Sequence, residues 1–220
     1  MYIPAHFAAG PDAIQHLLAR PGAANLVTMT DAGLLATLLP FAFTPEVGEH
    51  GALQAHMARN NQQWSTPATG EALAIIQGPD DYISPSWYSS KAGHGRVVPT
   101  WNYSTLHVYG ELTIHNDAGW LARHVRHLTG LHEGGREHPW AVEDAPQKFI
   151  AGQLRAIVGV ELIITRIEAK EKLSQNRSDA DAAGVAAGLR AEGREAAAAA
   201  VERVRTGEPQ AARSSSTITS

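Results

Sequence analysis

The chain has 220 residues, with 18 Lys and Arg against 22 Asp and Glu for a net charge of -4, and it contains no cysteine. This balance gives no general attraction for phosphate polymers, which excludes non-specific nucleic-acid binding as the main activity. The missing thiols exclude disulfides, thiolate metal sites and cysteine nucleophiles, and fit a cytoplasmic location.

The start, "MYIPAHFAAGPDAIQHLLARPG", lacks a basic flank followed by an apolar stretch, so no secretory signal is expected there. No apolar run approaches the ~20 residues of a membrane span, and a soluble protein is expected. After Pro11, Ile14, Leu17 and Leu18 at helical spacing predict a short helix, with Asp12 as its N-cap and Pro21-Gly22 as its stop. "ANLVTMTDAGLLATLLPFAFTP" predicts a hairpin around Asp31-Ala32-Gly33. "GALQAHMA" reads as a further strand, followed by a loop with Asn capping chemistry that leads into a short helix. "EALAIIQGP" and "STLHVYGELTIHN" are strands by their β-branched and aromatic content.

"DAGWLARHVRHLTGLHE" predicts a helix capped by Asp117, with Trp120, Leu121, Val125 and Leu128 as its apolar face. "APQKFIAGQLRAI" predicts another that begins at Pro146, and "VGVELIITRIEAKEKLS" a last strand. Beyond Asp179 the chain becomes rich in Ala, Glu and Arg, which predicts a peripheral helix interrupted at Gly184, Gly188 and Gly193, then a tail, "QAARSSSTITS". Short strands with few helices between them argue for an antiparallel barrel rather than a parallel sheet. The fold class is mainly β with peripheral helices, α+β.

Three stretches invite chemistry. In "HMARNNQQW", residues 56 to 64, an arginine and free backbone N–H groups at a helix start suit a terminal phosphate, and a solvated loop with ordinary capping is the alternative. Residues 82 to 112 hold six of the chain's fourteen aromatic residues, mixed with Ser, Thr, Asn and His. That mixture suits a flat polar ligand, with Ser86, Thr100, Asn102 and His107 as edge contacts; core packing and a subunit interface explain the rings equally well. His124, His127, His132 and His138 lie among arginines, and their expected reading is a solvated helix face rather than a metal site. No Walker loop, dinucleotide fingerprint, nucleophile elbow or helix-turn-helix is present.

Six strings in register, "MYIPAHF", "HMARNNQQW", "QGPDDYISPSWY", "VPTWNYSTLHVYGEL", "IVGVELIIT" and "KLSQNR", resemble the PaiB-type FMN-binding negative transcriptional regulators over residues 1 to 178. The resemblance implies an antiparallel split β-barrel of the pyridoxamine-phosphate-oxidase-like kind, a homodimer that binds FMN. It implies one FMN-binding domain over 1–178; the Ala-rich helix and tail over 179–220, set apart by composition, carry no motif of that family. By the same resemblance His56, Arg59, Asn60, Asn61, Gln62 and Trp64 would hold the flavin phosphate. Ser86, Trp87, Tyr88, Thr100, Trp101, Asn102 and His107 would line the ring pocket, and Lys172, Ser174, Gln175 and Arg177 of "KLSQNR" would lie at the cofactor cleft. The residues themselves show no direct DNA recognition, so regulation would run through a ligand or a partner. A flavin-dependent oxidoreductase is the other functional reading.

Overall fold

A computed structural model of the chain describes residues 1–20 and 22–206; the expected tail and Pro21 of the expected helix stop lie outside these residues. The elements are α1 (Pro11–Ala19), β1 (Gly22–Thr30), β2 (Gly33–Thr44), β3 (Ala52–Ala58), β4 (Ala72–Ile83), α2 (Ser90–His94), β5 (Thr100–His115), α3 (Ala118–Glu133), α4 (Gln147–Arg155), β6 (Ile157–Lys172), α5 (Asp179–Ala191) and α6 (Glu195–Thr206). The six strands form an antiparallel barrel in the order β1-β2-β3-β6-β5-β4, the split-barrel class that the resemblance implies.

The chain divides into two compact units. One, here unit 2, spans 18–76 and 107–168; it holds β1 to β3, the first part of β4, the last part of β5 and most of β6. Its hairpin is set by Gly33, whose φ of 114° lets the chain reverse so that Thr30 pairs with Gly33 and Met29 with Leu34. From that register, Ala24, Leu26 and Thr28 point into the barrel, while Val27, Met29, Leu34, Ala36 and Leu38 point out. On β6, Val158 to Leu162 are all buried, because one side faces the interior and α3 covers the other. Trp120 of α3 lies directly over Gly159, where any Cβ would overlap the indole.

Unit 1 contains residues 1–17, 77–106 and the described residues from 169 onward. Its core joins Ile83 and Tyr88 to Ala182, Val185, Ala186, Leu189, Ala198 and Val201. The Ala-rich segment is therefore not one peripheral helix: it is two helices, turned at Gly193 (φ 75°), and α5 lays an apolar stripe into the core. Gly184 and Gly188 do not interrupt α5. They are the flat spots against which Trp87 packs, since a Cβ at either would collide with Trp87. The expected cap of α1 also changes: the helix opens on Pro11, and Asp12 sits in its first turn.

Candidate functional site

In unit 2, β3 ends at Ala58 and the chain turns through Arg59 to Asn61. The Arg59 guanidinium is engaged by the protein itself. Its Nε donates to the carbonyl of Arg155 (2.8 Å), and its terminal nitrogens donate to Asn116 Oδ1 (3.0 Å) and the carbonyl of Ile157 (2.8 Å). Asn61 caps the short 3-10 turn Gln62–Trp64 by accepting from the Gln63 N–H (2.9 Å), and its amide donates to Thr37 Oγ1 (3.0 Å). The Trp64 indole donates back to the Arg59 carbonyl (2.8 Å), and Asn60 and Gln62 are exposed. Sequence reasoning passed over Gln63, which is buried and whose amide donates to the carbonyls of Leu26 and Leu35 and to Thr28 Oγ1, tying the hairpin together.

Below that turn lies a stack of rings. His115 is parallel to Trp120 (4.1 Å between centroids, 7°), and Trp120 is stacked in turn on His124 (5.2 Å, 18°). His124 Nε2 meets His56 Nδ1 at 3.1 Å, and His115 Nε2 meets Glu161 Oε2 at 3.0 Å. His124 is 2 % exposed, which corrects the solvated helix face expected for it: α3 turns this histidine with Leu121 toward the sheet. Burial, with His56, His127 and His115 nearby, pushes its pKa down to about 3, and burial lowers that of His56 as well. Both rings of the pair are neutral at pH 7. His107 is half-buried beside Tyr109 (6.5 Å, edge-on).

In unit 1 the ends of β5 and β6 gather the remaining candidates. Lys172 Nζ donates to Thr100 Oγ1 (2.5 Å) and to the Trp101 carbonyl. Ser174 Oγ donates to Asn102 Oδ1 (3.1 Å), and the Asn102 Nδ2 is buried without a hydrogen-bond partner. Ser174 is the one non-glycine residue with positive φ (67°) among the described residues, a local strain that the turn Ser174 to Arg177 holds in place. Gln175 spans that turn, accepting from the Leu173 N–H and donating to the Glu171 carbonyl (both 2.7 Å). The Arg177 guanidinium lies 4.5 Å over the Tyr88 ring. Burial, then the nearby charges of Arg177 and Lys170, lower the pKa of Lys172. Among the described residues no carboxylate pairs with it; the adjacent Glu171 turns instead to Arg203 (2.9 Å). Ser86 is exposed and accepts from Lys91 Nζ (3.3 Å), while Trp87 packs on α5.

The family model described as "Putative FMN-binding domain" matches residues 1–166. The chain belongs to that FMN-binding family. It is 33% identical over 183 residues to the Protease synthase and sporulation protein PAI 2 of Bacillus subtilis (strain 168), covering 82% of this chain and 85% of the relative. An uncharacterized protein of Saccharomyces cerevisiae is 34% identical over 122 residues, covering 54% of this chain and 72% of that one. The fold is similar to that of a conserved hypothetical protein from Mycobacterium tuberculosis (TM-score 0.56, 12% identity, 81% of this chain and 94% of that one). It is also similar to an FAD and heme binding protein from Mycobacterium smegmatis (TM-score 0.53, 17% identity, 74% and 71%).

FMN, the cofactor of this family, brings a planar ring system, a polar chain and a phosphate dianion. The unit 1 residues fit such a group: Lys172 is a cation without a carboxylate partner, Arg177 is a second cation, and the buried Nδ2 of Asn102 offers an unused donor. Arg59 likewise has no carboxylate partner among the described residues and spends three of its donors on Arg155, Asn116 and Ile157, as Lys172 spends two on Thr100 and Trp101; what distinguishes the unit 1 residues is the second cation, Arg177, and the unused Asn102 donor. The structure thus brings Thr100, Trp101, Asn102, Lys172, Ser174, Gln175, Arg177 and Tyr88 into one neighbourhood of unit 1, beside Trp87. His56, Arg59, Asn60, Asn61, Gln62, Trp64 and His107 belong to unit 2.

Proposed function

We propose that the protein is a cytoplasmic, homodimeric FMN-binding regulator whose flavin phosphate is held by Lys172 and Arg177. The observation that carries the placement is the pairing of an uncompensated Lys172 with the unused Nδ2 of Asn102. Lys172 and Arg177 would bind the phosphate, and the bond from Ser174 to Asn102 would keep the amide oriented toward the polar chain. Tyr88, buried in the unit 1 core, would carry Arg177 on its ring face, and the half-buried Trp87 beside it, held by α5, would limit the flavin ring's freedom. The regulatory part of the reading draws on the PAI 2 relative, whose name refers to sporulation. Dimerisation draws on the outer face of β1 and β2, where Leu34 and Leu38 are 65% and 62% exposed beside Met29 and Ala36. Bound FMN supplies hydride and electron chemistry, and an exposed aromatic face beside Lys172 favours a flavin-dependent oxidoreductase as the second reading.

Titration of the apoprotein with FMN and with riboflavin, followed by flavin fluorescence, tests the placement. Lys172→Ala is expected to weaken FMN binding by roughly 1.5–3 kcal/mol, the worth of a charged hydrogen bond, and to leave riboflavin unchanged. Arg59→Ala is expected to affect both ligands equally. A loss specific to FMN in Arg59→Ala, with none in Lys172→Ala, would put the phosphate at the end of β3. For the regulatory role, transcript profiles of a strain lacking the gene should be restored by the wild type and not by Lys172→Ala; profiles that never change remove that role.

A further inference from the structure

A second constellation in unit 1 adjoins the flavin residues and shares Trp101 with them, but adds Lys170, Tyr82 and Tyr103, to which the flavin reading gives no role. Lys170 lies two positions before Lys172 on β6, and so on the same face of the strand. Its ammonium donates to the Tyr2 carbonyl (3.3 Å) and stands 5.3 Å from the centre of the Tyr103 ring and 6.0 Å from that of Phe7. Among the described residues no carboxylate pairs with it: Glu168, two positions earlier on the same face, is held by Arg166 (3.0 Å), and Glu171 points to the other face of β6 and binds Arg203. Two positions before Tyr103 on β5 comes Trp101, 53% exposed, whose ring meets that of Tyr82 on β4 edge to face at 5.9 Å; Tyr82 is 47% exposed.

Each half of this face is incomplete in the same way. The lysine is surrounded by ring faces that hold a cation without neutralising it, and the two open rings keep apolar area in water. A ligand that answers both halves is flat and carries one negative group at its edge. Asp80, exposed and two positions before Tyr82 on the same face of β4, sets the direction: its charge repels an anion from the β4 side and leaves the β6 side, at Lys170, as the anion's place. With a net charge of -4 the chain disfavours a polyanion, so the ligand is a small molecule.

We infer that this face binds a small planar organic anion, an aromatic or conjugated acid whose ring packs on Trp101 and Tyr82 and whose carboxylate pairs with Lys170. The inference rests on the flavin reading in one respect: Lys170 and Lys172 stand 5.3 Å and 6.0 Å from the same Tyr103 ring, so the acid lies beside the flavin's phosphate end, where it acts as a signal to the loaded protein.

Calorimetric titration of the FMN-loaded protein with three probes tests it: 4-hydroxybenzoate, the neutral 4-hydroxybenzyl alcohol, and the non-aromatic cyclohexanecarboxylate. The aromatic acid is expected to bind at least about tenfold more tightly than either control, the scale of one charged or stacked contact. Lys170→Gln should erase the preference over the alcohol, and Tyr82→Ala the preference over cyclohexanecarboxylate, with FMN affinity kept in both. Equal binding of the three probes, or unchanged preferences in both variants, overturns the inference. Loss of FMN together with the acid in these variants also overturns it, because the face would then be the cofactor's own wall. If instead the wild type takes up no FMN and still selects the acid, the flavin reading falls and the acid site stands.

Discussion

His124 is a basic group placed where protonation is costly. Its pKa of about 3 against an ordinary 6.5 means that below pH 6.5 the unfolded chain binds a proton that the folded chain refuses. Stability from this residue is complete above pH 6.5 and is lost progressively as the pH falls toward 3, at up to about 1.4 kcal/mol per pH unit. Thermal melts between pH 7 and 4.5 should show a falling midpoint, and His124→Gln should flatten the fall by about one proton; identical slopes would show that other groups set the acid sensitivity. The residue itself was readable, but its burial was not. A histidine between arginines on an amphipathic helix gives no sign that a glycine on a distant strand, Gly159, will admit Trp120 and draw the next turn of α3 inward. Arg59 teaches the complementary lesson, since its type and spacing suit a phosphate while its acceptors at Asn116, Arg155 and Ile157 lie far away in the sequence.

Among the elements, α5 departs furthest from what its composition suggests. Small residues gave the impression of a helix with little to bury, yet Ala182, Val185, Ala186 and Leu189 repeat at the spacing of one helical face. The periodicity was legible; counting side-chain volume concealed it. At its N-terminus Asp181 accepts from the Ser90 N–H (2.8 Å), Ser90 Oγ (2.9 Å) and Ser89 Oγ (3.0 Å), and these bonds, the backbone one foremost, hold its pKa below the usual carboxylate range. Leu189→Ala should cost about 2–5 kcal/mol in urea unfolding, the usual range for a buried leucine. A cost below about 0.5 kcal/mol would mean that α5 is peripheral after all. The β1–β2 hairpin, by contrast, is plain from sequence because alternation and turn residues agree at Gly33, and so is the start of α3, whose cap Asp117 accepts from the Trp120 N–H at 2.7 Å.

For the molecule as a whole, the resemblance gave the barrel class and the family, whereas the physical pattern alone gave strands without their order. β3 pairs with β6 across more than a hundred residues, His56 opposite Gly159, and no local signal carries such a pairing. The dimer proposed above is tested on the β1–β2 face: Leu38→Glu should shift the mass seen by light scattering at micromolar concentration toward the monomer. A wild type that is already monomeric with FMN bound would end that proposal. The core of unit 1 also has an order of manufacture. Ile83, Trp87 and Tyr88 leave the ribosome long before Ala182 to Val201, the residues that cover them, so every nascent chain carries an uncovered aromatic surface until α5 and α6 emerge. Slower translation or a deficit of chaperones should therefore lower the yield of folded protein more than the stability of the finished molecule would suggest.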